Sequence, residues 1–117
     1  MSEMKSNRLV KNKEFLVLLS KCKPKLRRAL VSGGSKEAIY SIIECILNVC
    51  NGNVHINSDD FQKLKPFNKL FKKLIDKKID INQKKKLIIQ KGGFLEVLIP
   101  AIVSGLASII SSAISSN

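Results

Sequence analysis

The chain has 117 residues, of which 44% are hydrophobic and only 5% aromatic, and it contains no Trp. This length leaves room for no more than one small domain and an appendage, and a core of Leu, Ile, Val and Ala is typical of packed helices. The formal net charge of +12 exceeds what solubility requires and predicts a polyanionic partner, either nucleic acid or an anionic membrane.

The first predicted helix carries apolar residues between Leu9 and Leu19 among charged ones. Pro24 interrupts this helix, because proline lacks the backbone N–H and restricts the residue before it. The segment KPKLRRAL then predicts a short basic turn of helix, which Gly33-Gly34 ends.

The central helix is predicted to begin at Ser35, a good N-cap, with Glu37 in the first turn, where the helix dipole favours an acidic side chain. The segment EAIYSIIECILNVC places its apolar side chains at helical spacing in a wide stripe, which predicts the most buried helix of the domain. Its content of Ile and Val leaves a strand as the alternative. Asn51-Gly52-Asn53 is a strong stop signal.

Further basic helices are predicted after this stop. Ser58 is the predicted N-cap of the first, and Pro66 breaks or restarts it. An amphipathic pattern then covers residues 67–75, with lysines mostly on the face opposite its apolar residues. Asn82 is the predicted cap of a last basic helix, QKKKLIIQK, which ends at Gly92-Gly93. We therefore expect an all-α fold, a small bundle of four or five short helices, followed by a hydrophobic C-terminal helix.

Lysine dominates the second half of the domain, since residues 62–91 hold eleven Lys against Asp76 and Asp80. The alternative is that these lysines only form a solvent-exposed helix face. The small number of acidic residues among them favours a binding surface instead. Because Lys is a point charge suited to phosphates rather than to base edges, we expect sequence-independent, salt-sensitive contact with double-stranded DNA. The candidate nucleic-acid-binding residues are Lys25, Arg27, Arg28, Lys63, Lys65, Lys69, Lys72, Lys73, Lys77, Lys78, Lys84, Lys85 and Lys86.

The sequence offers little chemistry for catalysis or metal binding. It has a single histidine, His55, no nucleotide-binding motif, and no recognisable Ser/His/Asp or Cys/His set. The cysteines Cys22, Cys45 and Cys50 are odd in number and form no CxxC pair, and Cys45, Cys50 and His55 lack the spacing of zinc fingers. We predict no enzyme, no cofactor and no metal site, and reduced thiols in a cytosolic or nuclear protein.

The C-terminal tail carries no charged residue from Val97 to Ser115, a length that just spans a bilayer as a helix. On a helical projection one face is bulky and aliphatic, while the other is small and hydroxylic and allows close helix–helix approach. We therefore divide the chain into a basic helical domain, residues 1–91, and a hydrophobic tail, residues 92–117, that engages a membrane or forms a homo-oligomer. The candidate tail residues are Leu98, Ile99, Ile102, Val103, Leu106, Ile109, Ile110, Ser104, Ser108 and Ser112.

Four segments carry a resemblance to a known group of proteins. Over roughly residues 26–110 the chain resembles small basic proteins encoded by Polinton/Maverick elements and adintoviruses. Those proteins are similar to the adenovirus core protein mu precursor (protein X), a basic DNA-condensing peptide with a hydrophobic C-terminal piece. The segments are Glu44-Cys45-Ile46-Leu47-Asn48-Val49, Gly52-Asn53-Val54, Lys84-Lys85-Lys86-Leu87 and, most specific, Gln90-Lys91-Gly92-Gly93-Phe94-Leu95.

The resemblance implies a minor structural protein of a virion, packaged with the genome and present in the host nucleus during assembly, with capsid proteins among its partners. It also implies processing by a viral cysteine protease of the adenovirus type, which cuts after Gly-Gly. The candidate cleavage residues are Gly92, Gly93 and Phe94. Gln90 stands where Met, Leu or Ile is commoner, so cleavage after Gly93 is a hypothesis.

Three functions are open on these grounds. The leading hypothesis is a virion core protein that binds viral DNA with its basic body, while the tail engages membrane or capsid. The second is a membrane-active protein, pore-forming or tail-anchored, whose lysines meet anionic lipid headgroups. The third is a helical interaction module whose tail folds back as a core helix.

Overall fold

The computed structural model describes residues 6–102 and contains α-helices, 3-10 helices and turns, with no strand in that range. The predicted all-α fold is confirmed. The α-helices are α1 (Ser6–Lys11), α2 (Lys13–Lys21), α3 (Pro24–Ser32), α4 (Lys36–Cys50), α5 (Ser58–Leu64), α6 (Asn68–Ile75) and α7 (Ile81–Lys91), with 3-10 helices at Lys65–Phe67 and Gly92–Phe94. Residues 95–102 are again helical.

The described residues therefore hold more helices than the four or five predicted. The first predicted helix is divided into α1 and α2 at Asn12, whose side-chain amide donates to the carbonyl of Arg8 at 2.9 Å. Pro24 is the first residue of α3, a position that needs no backbone N–H. Pro66 lies in the 3-10 helix that joins α5 to α6.

Polar side chains fix the start of three helices, because each accepts a hydrogen bond from a backbone N–H two or three residues later. Ser35 caps α4, as predicted. Asn57 caps α5 and Asp80 caps α7, so the predicted caps Ser58 and Asn82 are one and two residues too late. Asn57 and Asp80 are the caps because their side-chain oxygens reach the free N–H groups of the first turn.

Helix α4 forms the centre of the molecule, as its wide apolar stripe predicted. It packs against α1, α2, α6 and α7, and Ile42, Cys45 and Ile46 are completely buried. The strand alternative for this segment is wrong. A helix suits this segment better than a strand does, because its wide apolar stripe buries side chains against several neighbouring helices at once.

The described start of the tail belongs to the same core. Phe94, Leu95, Leu98, Ile99 and Ile102 are at most 1% exposed and join the cluster that α4 and α6 build. The break that we predicted at residue 92 therefore does not separate residues 94–102 from the body. This burial is what a core helix would show, as the third hypothesis requires for the beginning of the tail.

The remainder of the tail, residues 103–117, lies outside the described residues. That range holds the predicted tail residues Val103, Ser104, Leu106, Ser108, Ile109, Ile110 and Ser112. Within residues 6–102 no helix has the length and apolar character needed to cross a membrane.

Candidate polyanion-binding surface

Seven exposed lysines lie close together in the chain around α6. They come from the end of α5, the 3-10 helix after it, α6 itself and the turn that follows. We call them the α5–α6 lysine cluster: Lys63, Lys65, Lys69, Lys72, Lys73, Lys77 and Lys78, all exposed.

The amphipathic pattern of α6 places part of this cluster on one face. Leu70, Phe71 and Leu74 are buried, which leaves residues 69, 72 and 73 on the opposite, solvent-exposed side. Because residues spaced i, i+3 and i+4 are neighbours on a helix, three lysines stand side by side there. The predicted division of α6 into an apolar and a basic face is confirmed.

Acidic residues do little to neutralise the cluster. Asp76 is the only acid within residues 63–78, and its Oδ1 accepts a hydrogen bond from the backbone N–H of Lys78 at 2.9 Å. This contact shapes the turn after α6, in the manner of an Asx turn. The carboxylate therefore has a structural role within the cluster.

In the part of the chain that the structure describes, every ion pair uses an arginine. Arg8 lies 2.8 Å from Glu37 and 3.1 Å from Glu44, and Arg27 lies 2.7 Å from Glu96. An arginine fork can hold two partners in fixed geometry, as Arg8 does, whereas an ammonium is a mobile point charge. The lysines of the α5–α6 lysine cluster thus remain available for an external anion.

Three of the predicted nucleic-acid-binding residues are buried or half-buried. Arg27 and Lys84 are only 4% and 7% exposed, so they do not belong to the basic surface. Lys85 is half-buried, and its Nζ donates to the carbonyl of Gly34 just after α3, at 3.0 Å. Within the lysine run 84–86, only Lys86 is exposed, because the run turns through the buried side of α7.

Lys25 and Arg28 are exposed on α3, as predicted. Helix α7 packs against both α3 and α6, so these residues and Lys86 come from neighbouring helices. Lys25, Arg28 and Lys86 add exposed positive charge outside α6, but the densest group of exposed lysines along the chain is the α5–α6 lysine cluster.

The candidate cleavage residues lie in a 3-10 helix rather than in an extended strand. Gly92 accepts a hydrogen bond from Nη1 of Arg27 at 3.4 Å. Phe94 is completely buried, and its ring centroid lies 5.8 Å from that of Phe67 and 5.2 Å from that of Phe71. Cleavage after Gly93 stays a prediction, and it would require this segment to unwind locally.

The cysteines differ in their exposure to solvent. Cys45 is buried and Cys50 is exposed. Burial, together with the charge of neighbouring Glu44, raises the pKa of the Cys45 thiol above its ordinary range. Among residues 6–102, no three His, Cys, Asp or Glu side chains are grouped so that they would hold a metal ion.

Comparison of the chain with protein-family models, with curated proteins and with solved structures finds no match. The assignment of a function therefore depends on the surface of the molecule, above all on the α5–α6 lysine cluster.

Proposed function

We propose that this protein binds nucleic acid through the α5–α6 lysine cluster, by contacts to the phosphate backbone that do not read the base sequence. The observation that supports this is the presence of seven exposed lysines within residues 63–78, none of them in an ion pair with another residue of the range 6–102. Keeping so many like charges together is unfavourable for the isolated protein, and a polyanion relieves the repulsion.

The chemistry of the exposed charges favours phosphate contacts. Base edges in the major groove are read best by the planar fork of arginine, and two of the three arginines, Arg8 and Arg27, are engaged in internal ion pairs. Lysine binds phosphate as a point charge and tolerates many geometries. The expected binding is therefore strong at low salt and indifferent to sequence.

Double-stranded DNA inside a virion is the target that we propose. The resemblance of the segments around Gly92-Gly93 to proteins of Polinton/Maverick elements and adintoviruses supports this context, and the net charge of +12 on a small chain suits a protein that neutralises a confined genome. Binding that ignores sequence is what the packaging of a whole genome requires.

The test compares two triple variants that lose the same charge. Lys69→Gln/Lys72→Gln/Lys73→Gln removes the lysines of α6, and Lys11→Gln/Lys13→Gln/Lys21→Gln removes three exposed lysines of α1 and α2. At low salt we expect the first to weaken binding to mixed-sequence duplex DNA by at least about tenfold, and the second to have a much smaller effect. Equal effects would show that only total charge matters, and no binding by the wild type would refute the proposal.

Vesicles provide a further arm of this experiment, because anionic lipid headgroups also attract lysine. The proposal predicts that the α6 variant loses affinity for duplex DNA in the absence of any lipid. Binding to anionic vesicles without binding to DNA would instead favour the membrane-active alternative.

A further inference from the structure

An apolar groove lies between the end of α4 and helices α5 and α6, and the proposed function does not use it. Its volume is about 340 Å³, at the lower end of small-ligand pockets. We call it the α4–α6 groove. Its apolar lining consists of Val49, Cys50, Phe61, Leu64, Phe71 and Ile75.

Phe61 is the unusual member of this lining. It is 52% exposed, more than any other large hydrophobic side chain in residues 8–102, whereas Leu64 on the same face of α5 is buried. Exposed aromatic side chains beside an apolar depression are typical of interaction sites.

The polar part of the lining gives the groove a charge. Lys65 and Lys72 line it together with Asn68, and no acidic residue of the described chain lines it. Neither lysine forms an ion pair within residues 6–102. A complementary occupant therefore combines a large apolar side chain with carboxylates close to it.

The remaining sequence of this chain does not supply such an occupant. Residues 103–117 contain no Asp or Glu, and residues 1–5 hold a single carboxylate, Glu3, offset by Lys5. A second copy would bring a net charge of +12 to a basic rim. A nucleobase fits less well, because Phe61 is the one exposed aromatic ring of the lining on which it could stack, and Asn68 is the one amide available for a base edge.

We infer that the α4–α6 groove binds an acidic amphipathic segment of a partner protein, with one or two large apolar side chains in the groove and carboxylates at Lys65 and Lys72. Helix-in-groove recognition of this kind uses apolar anchors at i, i+3 or i+4 and i+7. Since both lysines also belong to the α5–α6 lysine cluster, such a partner competes with DNA for them. The inference itself does not depend on DNA binding.

The test uses a synthetic amphipathic helix with Leu on one face and Glu on the other, and a second peptide in which Gln replaces each Glu. Titration of the full chain is followed by chemical-shift changes, which we expect in residues 49–50 and 61–75 for the Glu peptide. Phe61→Ala should weaken its binding about tenfold, a typical effect of truncating a central anchor. Leu26→Ala is the matched control, because Leu26 is 50% exposed but lies on α3.

Each other outcome overturns the inference. Equal affinity for the Glu and Gln peptides would remove the role of the two lysines, and unchanged binding by Phe61→Ala would place the peptide elsewhere. If Phe61→Ala weakens binding to single-stranded DNA but not to the peptide, the groove accepts a nucleobase. A change in oligomeric state on the same substitution would identify a second copy as the occupant.

Discussion

Arg27 on α3 and Glu96 in the C-terminal segment lie 2.7 Å apart, across the 3-10 helix that begins at Gly92. Arg27 is nearly completely buried, while the side chain of Glu96 is 59% exposed. The pair joins the basic body to the first residues of the apolar tail. Nε of Arg27 is buried without a hydrogen-bond partner, so its guanidinium depends on Glu96 and on the carbonyl of Gly92.

We expect Glu96→Gln to lower the free energy of unfolding by about 1 to 2 kcal/mol, less than the loss for a fully buried pair, because solvent screens Glu96. The substitution leaves a buried guanidinium without its counter-charge. Glu37→Gln is the matched control, since Glu37 is similarly exposed but its partner Arg8 also binds Glu44. Urea denaturation of both variants measures the difference, and equal losses would argue against a special role for Arg27.

Phe94→Ala should destabilise the protein by about 3 to 5 kcal/mol, as expected when a fully buried phenylalanine is truncated. The ring contacts Phe67 and Phe71, and its loss leaves a cavity between α6 and the C-terminal segment. Phe61→Ala, in which the same atoms are removed from an exposed position, should cost about 1 kcal/mol or less. If Phe94→Ala costs as little as about 1 kcal/mol in thermal or urea unfolding, residues 94–102 do not contribute to the core.

The cysteines provide a test by alkylation. The thiolate is the reactive species, and burial raises the pKa of Cys45 well above its ordinary range. We therefore expect Cys45 to react only after unfolding. Cys50 is exposed and should react in the native protein, although partial burial raises its pKa as well. Mass spectrometry after a short exposure to iodoacetamide measures both, and rapid native labelling of Cys45 would contradict the burial of α4.

The same raised pKa has a consequence for stability at alkaline pH. In the folded protein the Cys45 thiol stays neutral, whereas in the unfolded chain it ionises above its ordinary pKa of 9.0. The contribution of Cys45 to the free energy of unfolding is therefore complete below pH 9.0 and is lost as the pH rises above that value. We expect Cys45→Ala to show a shallower alkaline loss of unfolding free energy than Cys50→Ala. Identical slopes would contradict the expectation.

If an adenovirus-type cysteine protease cuts after Gly93, as the resemblance implies, we expect the cut to be slow in the folded protein. The site lies in a 3-10 helix, and the following residue, Phe94, is fully buried. Phe94→Ala should accelerate the cut because it favours local opening. N-terminal sequencing of the products identifies the bond, and an unfolded chain that remains uncut would remove the hypothesis.

Much of the fold follows from local sequence signals. The N-cap Ser35, the wide stripe of α4 and the clean amphipathic pattern of α6 each predicted an element that the structure contains. These signals are reliable because capping and one-sided burial act within a few residues. The division at Asn12 was missed, since no proline or glycine marks it in the sequence.

The parts that could not be predicted depend on contacts between distant residues. Arg27 and Lys84 look like surface charges in the sequence, yet they are buried because α3 and α7 pack against each other. The uncharged apolar tail favoured a membrane-engaging segment over a core helix, whereas the burial of residues 94–102 and the packing of Phe94 against α6 place its first residues in the core. The α4–α6 groove likewise arises from three helices and has no local signature.

The salt dependence of DNA binding tests the central claim most directly. If five or six lysines contact phosphates, log K should fall against log salt with a slope of about −5. Lys69→Gln/Lys72→Gln/Lys73→Gln should reduce the magnitude of that slope by about 2 to 3, with little change for Lys11→Gln/Lys13→Gln/Lys21→Gln. An unchanged slope in the α6 variant would contradict the assignment of the α5–α6 lysine cluster as the DNA-binding surface.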